Sequence, residues 1–356
     1  MPWCKVGFHQ RPLAIKKDSL EKWIVPEKSH VLEAKQGQID DSLDVHAAIS
    51  LNQDRDLRLN CVGLSRREDL EFLETLGCGA FGVVSLVKTK DEKRYALKEL
   101  FQSAANVEAR ETEISVLALG ITHPFINKIH SVILEENRTF LVLEYLCGGD
   151  LWYHLSQGAF TEDQTRFYTA EMVLGLQILH GHGIIHRDLN LCNVLLDLDG
   201  HVKLADFGLA KEGVGHGQRP AHSICGTPGY MAPEVANGNL YGGSVDWWSL
   251  GICLAEMLVF SPVPPEFVSS WAQDYIPADV DPAAKLLVDG FLQTNPDDRL
   301  GCNSDRGGEE EIRKHKFFEK IDWEKLERRQ LPAPFVPEKV SRKSARYFDP
   351  NIKEKL

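Results

Sequence analysis

The sequence lacks any run of apolar residues long enough to span a bilayer. Its longest, Leu250 to Phe260, is interrupted by Glu256 and falls far short of the roughly 20 residues that a membrane helix needs. It predicts a buried helix instead. Long basic runs are also missing, and 40 Lys and Arg stand against 52 Asp and Glu for a net charge of −12. That balance argues against a nucleic-acid partner. Eight cysteines are present (Cys4, Cys61, Cys78, Cys147, Cys192, Cys225, Cys253 and Cys302), but no C-x-x-C or zinc spacing links them. Scattered reduced thiols of a cytoplasmic protein are the simplest reading. Pro2 rather than glycine follows Met1, so no myristoylation signal is present, and no secretory leader is recognisable. The composition is 43% hydrophobic and 26% charged over 356 residues, enough for a large core in one bilobal unit with tails or in two or three domains.

The richest stretch is 186–208. It opens His186-Arg187-Asp188-Leu189-Asn190-Leu191-Cys192-Asn193 and closes Ala205-Asp206-Phe207-Gly208. Val194–Leu196 and Val202–Leu204 read as two short strands joined by the turn Asp197-Leu198-Asp199-Gly200. Such a hairpin gathers Asp188, Asn193 and Asp206 at one edge. Phosphoryl transfer needs that set: a carboxylate beside the attacking hydroxyl and hard oxygen ligands for Mg²⁺. Ordinary turn carboxylates are the competing reading.

Upstream, Leu76-Gly77-Cys78-Gly79-Ala80-Phe81-Gly82-Val83-Val84 carries a G-x-G-x-x-G spacing. By itself this spacing also suits a nucleotide-binding oxidoreductase. There, however, the third glycine opens a helix, whereas Val83 to Val87 is β-branched and apolar. The glycines therefore sit at a hairpin tip, where backbone N–H groups can approach phosphates. Lys98 follows in the apolar strand Tyr95 to Leu100. A helix is expected over 107–119, with Glu108, Glu111 and Glu113 as carboxylates able to meet Lys98. Glu113 is preferred because Leu117 lies on the same face; Glu111 stays open. Phe140 to Leu143 reads as a strand that breaks at Gly148-Gly149 before a helix at Asp150. Asp150 is either a ligand contact or a plain N-cap. A long amphipathic helix is expected over 161–180, with Phe167, Met172, Val173, Leu176 and Leu179 inward.

Taken in order, these pieces resemble a eukaryotic protein kinase: H-R-D-x-x-x-x-N, then D-F-G, the glycine loop, the strand lysine, and Ala232-Pro233-Glu234 further on. Cys225-Gly226-Thr227-Pro228, His315 to Leu326 and Leu331-Pro332-Ala333-Pro334-Phe335 are similar to the AGC group, near the protein kinase C and ribosomal S6 kinase branches. The resemblance covers about 69–350. It implies an α+β bilobal fold, with a small antiparallel β lobe carrying one key helix (69–144), a larger mainly helical lobe (145–318) and a C-terminal tail (319–356). Residues 1–68 form an extension that is either regulatory or partly disordered. The tail stops at Leu356, before the group's usual turn and hydrophobic phosphomotifs, so tail-based activation is not expected.

The resemblance also assigns roles. Asp188 is the catalytic aspartate; Asn193 and Asp206 bind Mg²⁺; Lys98, braced by Glu113, holds the phosphates of ATP. Leu76, Gly77, Gly79, Ala80, Phe81, Gly82, Val84, Ala96, Glu144, Leu146, Asp150, Leu195 and Phe348 would surround the nucleotide, with Leu143 as gatekeeper. Thr227 would bond near Asp188 and mark serine/threonine specificity. Ser223 falls at the activating phosphosite, for an upstream kinase to modify and Arg187 to bind. Glu234 would pair with Arg299, and Asp246 would brace the catalytic loop.

Two departures stand out. Asn190 occupies the position of the family's lysine, which neutralises charge on the transferring group; losing a contact of this kind commonly costs about 10²-fold in rate. Cys192 replaces a glutamate that grips substrate arginine, leaving Glu256 and Asp150 as acidic anchors for protein substrates with basic residues near the phosphoacceptor. The segment between Met257 and Arg299 is also short for the family. A serine/threonine kinase is the leading expectation. A pseudokinase that binds ATP and acts through partners is the alternative.

Overall fold

The computed structural model describes residues 66–79, 82–101, 107–135, 138–214, 220–260, 276–338 and 345–348. Residues 1–65 of the expected extension, and Ala80 and Phe81 of the glycine loop, lie outside the described residues.

The small lobe is a five-stranded antiparallel sheet. Its strands are β1 (Glu71–Cys78), β2 (Gly82–Lys88), β3 (Arg94–Leu100), β4 (Ile129–Glu135) and β5 (Arg138–Glu144), in the spatial order β1-β2-β3-β5-β4. Helix α1 (Val107–Ala118) enters between β3 and β4. It stops one residue short of the expected end, and Gly120 just beyond adopts φ 64°, a left-handed exit that glycine makes without a Cβ penalty. Leu86, Leu141 and Val142 are fully enclosed.

The sheet register sets the roof of the cleft. Val84 faces Lys98, and Ala96 faces Leu143. Because side chains alternate across a strand, Ala96 and Lys98 share one face with Val84 and Leu143. At Gly82 the main chains come too close for any side chain: an added Cβ would lie 2.1 Å from the Glu99 carbonyl oxygen.

The large lobe contains α2 (Leu151–Gln157), α3 (Glu162–Gly181), β6 (Ile184–Ile185), β7 (Val194–Leu196), β8 (Val202–Leu204), β9 (Lys211–Glu212), α4 (Pro233–Ala236), α5 (Ser244–Val259), α6 (Pro282–Phe291), α7 (Glu310–Arg313) and α8 (Trp323–Glu327). Helix α3 starts on a capping box, in which Thr161 and Gln164 each bond the other's backbone N–H; such caps contribute about 1 kcal/mol. The expected inward residues are buried, yet so are Thr165, Arg166, Thr169 and Glu171. The helix is therefore a central post rather than a one-faced surface helix. Its polar residues mimic an exposed face, but Arg166 donates to the Phe317 carbonyl and Glu171 accepts from the His201 ring and the Val202 N–H. Helix α5 contains the apolar run and is buried along most of its length. No helix among the described residues is long and apolar enough to cross a membrane.

Residues 331–338 and 345–348 run back along the molecule as a strap. An added Cβ at Gly200 would lie 1.7 Å from the Phe335 carbonyl oxygen, at Gly148 2.9 Å from the Pro337 ring, and at Gly149 2.2 Å from the Tyr347 carbonyl oxygen. Three glycines therefore let the strap lie against backbone.

Candidate active site

The β7–β8 pair joins Val194 to Leu204 and Leu196 to Val202, as the turn signal at 197–200 predicts. It fixes the loop before β7 and the segment after β8 side by side. Asp188, Asn190, Asn193, Asp206 and Thr227 meet there, and Lys98, held by Glu113, reaches Asp206 from the small lobe.

Lys98 Nζ lies 2.6 and 2.8 Å from the two carboxylate oxygens of Glu113 and 3.0 Å from Asp206 Oδ1. Glu111 makes no such pair among the described residues, so the open choice between the two falls to Glu113. Burial opposes the Lys98 charge, but the Asp206 and Glu113 carboxylates outweigh it and hold the ammonium protonated. Burial, aided by the Asp206 charge and opposed by Lys98, raises the Glu113 carboxyl to about 7. Burial also opposes ionisation of Asp206, yet Lys98 keeps its pKa below the usual carboxylate value. These opposing pushes are what a low-dielectric site does to adjacent charges.

Asp188 is ringed by donors. Its Oδ1 accepts from Thr227 N at 2.8 Å and from Thr227 Oγ1 at 2.6 Å, and its Oδ2 accepts from Asn193 Nδ2 at 3.2 Å. Burial nevertheless raises its pKa against the Thr227 hydrogen bonds. Asn193 also donates to the Asp188 carbonyl at 2.8 Å. Its described hydrogen bonds run through Nδ2, and those of Asp206 run through Oδ1, which leaves Asn193 Oδ1 and Asp206 Oδ2 as hard oxygens for a divalent cation. The donor set fits Mg²⁺, which prefers one or two protein oxygens with phosphate and water completing its shell.

Asn190 is buried and fully engaged. Its Nδ2 donates to the Asp188 carbonyl at 3.1 Å and to Thr227 Oγ1 at 3.2 Å. Its Oδ1 accepts from Cys192 N and Asn193 N at 3.0 and 3.2 Å, capping the 3₁₀ turn Leu191–Asn193. An asparagine suits this capping geometry.

Two residues here stand in the left-handed region, Arg187 at φ 65° and Asp206 at φ 60°. Outside glycine such conformations cost about 1–3 kcal/mol and persist only where surroundings impose them. Asp246 imposes one of them: its carboxylate accepts from His186 N at 2.8 Å and Arg187 N at 2.9 Å. Phe207 is buried against the His186 ring, centroids 5.3 Å apart.

Comparison with known proteins matches residues 70–318 to the protein kinase domain. The chain belongs to the protein kinase family. It is 42% identical over 294 residues to protein kinase C of Drosophila melanogaster, covering 79% of this chain and 39% of that protein. It is 41% identical over 301 residues to protein kinase C eta type of Mus musculus (81% and 44%) and 40% identical over 295 residues to protein kinase C-like 1B of Caenorhabditis elegans (79% and 41%). Its kinase domain is thus protein kinase C-like, in line with the resemblance to the AGC group read from the sequence. The chain spans about two fifths of the length of these relatives.

The remaining kinase residues fall as follows. Leu76 and Leu146 are buried, and Val84, Glu144 and Leu195 are half-buried beside the cleft. An added Cβ at Gly77 or Gly79 would meet nothing within 4 Å among the described residues. Asp150 is the N-cap of α2, accepting from Tyr153 N at 2.7 Å; burial raises its carboxyl to about 6 against that bond. Phe348 stacks on Tyr145 of the interlobe linker at 6.4 Å, and the nearby Ala345 N–H donates to Glu74 of β1.

Ser223 is exposed. Arg187 donates to the carbonyls of Leu209 and Ala210 and to Tyr241 Oη, whose hydroxyl donates to the Ser223 carbonyl at 2.6 Å. Arg187 and Ser223 are thus linked through Tyr241, a residue that sequence reading passed over. Glu256, expected as an acidic anchor, is buried and accepts from Tyr230 Oη at 2.5 Å. Glu234 and Arg299 form a bidentate pair at 2.6 and 3.0 Å, Arg299 being fully enclosed.

Proposed function

We propose that this chain transfers the γ-phosphoryl group of ATP to serine and threonine hydroxyls of proteins. The observation that carries this reading is the convergence of Asp188, Asn193, Asp206, Lys98 and Glu113 on one cleft. Asp188 takes the role of orienting the acceptor hydroxyl and receiving its proton, with Thr227 fixing the carboxylate. Lys98, held by Glu113, aligns the phosphates, while Gly77 to Gly82 cover them and Ala96, Leu143 and Leu146 enclose adenine. Bound Mg²⁺ supplies charge neutralisation on the phosphates, and Asn193 and Asp206 are the residues to hold it. Phe348 closes the nucleotide side from the tail.

Ser223 is the site for an upstream activating kinase; a phosphate there would draw Arg187 from the Leu209 and Ala210 carbonyls. A preference for basic substrates would rest on Glu256 and Asp150. Both are already engaged, and Cys192 adds no charge, so the preference is weak. The dispersed cysteines and the absence of disulfides among the described ones favour a cytoplasmic setting.

A second reading has one observation in its favour. Asn190 brings no positive charge to the site and its amide is spent on Asp188, Thr227 and the loop amides. An ATP-binding scaffold without transfer would need nothing more. Mg²⁺-dependent transfer from ATP to a Ser/Thr peptide library decides between the two, with Asp206→Asn as control. Transfer that vanishes in the control supports the kinase; nucleotide binding without transfer, even with Ser223 phosphorylated, selects the scaffold.

A further inference from the structure

Behind the catalytic loop, the His180 ring lies between two carboxylates. Its Nε2 is 2.9 Å from Asp246 Oδ2, and its Nδ1 is 2.5 Å from Glu309 Oε1. A neutral imidazole has one N–H and could satisfy only one of these acceptors. With both ring nitrogens against carboxylates, the arrangement calls for the doubly protonated ring. Asp246 is completely buried, so its charge needs that partner. The same carboxylate accepts from the backbone of His186 and Arg187, and Arg187 sits in a strained conformation that must be held.

Glu309 is delivered to this chain of contacts by its own loop. Gly307 and Gly308 turn the backbone at φ 103° and 58°, just before α7. Glu309 is the N-cap residue of α7, yet its side chain makes no capping bond; it reaches back to α3 instead. There Gln177 and His180, three residues apart and so on one face, receive the same loop: Gln177 Nε2 donates to the Glu309 carbonyl at 3.0 Å. The other end of the Gln177 amide accepts from Arg313 of α7 at 2.8 Å. On its remaining sides the ring packs edge-on to Trp247, centroids 5.1 Å apart, and against Gly243. The charged or titratable groups about His180 are therefore Asp246 from α5, Glu309 from the loop, Arg313 through Gln177, and His186 beyond Asp246.

We propose that Glu309 is a positioning residue for the catalytic loop, acting through His180 and Asp246 on the backbone of His186 and Arg187. It touches neither nucleotide nor acceptor. Its charge favours the imidazolium, the imidazolium stabilises the buried Asp246 carboxylate, and that carboxylate keeps the loop backbone in place beneath Asp188. The direction of the His180 shift agrees: burial opposes its charge, but the hydrogen bonds it donates to Asp246 and Glu309 raise its pKa to about 9.

The inference rests on the kinase reading for its rate readout alone, and the test has a readout independent of transfer. In the full chain, Glu309→Gln keeps the shape and removes the charge. His180 should then titrate at least about one pH unit lower by NMR, and amide-exchange protection at His186 and Arg187 should fall about tenfold. The kcat should fall about tenfold with the KM for ATP within about twofold, and the alkaline limb of the kcat profile should move with His180. Glu310→Gln, at the exposed neighbour, should change none of these, and Glu309→Asp, which keeps the charge, should recover at least about half of the lost protection. Unchanged His180 titration and loop protection in Glu309→Gln, or equal losses in Glu310→Gln, would overturn the proposal. If Glu309→Gln does not fold, wild-type protection factors corrected for intrinsic exchange decide: they must fall as His180 deprotonates, and a flat profile between about pH 7 and about pH 10 overturns the proposal. If wild type transfers no phosphate while titration and exchange respond as expected, the kinase reading fails and the positioning role stands.

Discussion

Two sets of buried charges do different work in this molecule. The cleft set, Lys98 with Glu113 and Asp206, is open at one end, since the Asp206 side chain keeps 35% of its surface. The bracing sets of the large lobe are closed. Arg299 spends itself on Glu234, the Gln293 and Ser244 carbonyls and the Trp248 face. Asp246 is used up by two amides and an imidazole. Closed sets fix the shape of the backbone; the open set retains one oxygen, Asp206 Oδ2, that no hydrogen bond among the described residues claims. A free oxygen beside a paired carboxylate marks a place for something brought from outside.

Breaking the closed side should have the largest effect. Arg299→Met leaves Glu234 buried without its partner and should cost about 3–5 kcal/mol of stability, read as a fall in the denaturation midpoint. Breaking the open side should remove function at a smaller cost in stability, because the buried Glu113 carboxyl, already raised to about 7, can take up a proton when its partner is lost. Lys98→Met should lower phosphoryl transfer by about 10²–10³-fold, with a fall in the denaturation midpoint smaller than that of Arg299→Met; an equal fall would place Lys98 with the bracing residues instead.

The His180 network sharpens the contrast through pH. Its pKa is raised in the folded state, to about 9, above the ordinary value near 6.5. Its contribution is therefore fully present below about pH 6.5 and is lost as pH rises through about 9. Chemical denaturation across that window should show stability falling by roughly 1–3 kcal/mol, and His180→Gln should flatten this part of the profile. The smallest expected effect lies at Asn190. Asn190→Lys adds the missing cation at the expense of the cap on the 3₁₀ turn; turnover should rise by about tenfold while the denaturation midpoint falls slightly. Unchanged or lower turnover would show that the capped loop performs best with Asn190.

Most of the fold was legible in the sequence because its signals are local. The glycine hairpin, the apolar strand around Lys98 and the turn at 197–200 each announce themselves within a few residues. Glu113 could be picked over Glu111 because Leu117 lies on its face. The all-round burial of α3 was not legible, since Arg166 and Glu171 look like solvent-facing residues until Phe317 and His201 arrive to satisfy them. The motifs named the candidate site residues and some of their pairings, such as Lys98 with Glu113, Thr227 with Asp188 and Glu234 with Arg299, but not the contacts that depend on the path of the loop. Asn190 was visible as a departure from the family, whereas its capping role depends on where the Cys192 and Asn193 amides point. His180 and Glu309 lie 129 positions apart with no motif joining them, and Tyr241 carries no sign that its hydroxyl links Arg187 to the Ser223 carbonyl.

The glycine-floored track beneath the strap bears on inhibitor chemistry. Pro337 and Tyr347 press on Gly148 and Gly149, and Phe348 stacks on Tyr145. A compound anchored at the adenine edge and extended outward past this linker therefore meets a wall contributed by the tail, some two hundred positions further along the chain. Selectivity gained there is selectivity for the strapped form. The dissociation rate of such a compound would report whether the tail is seated.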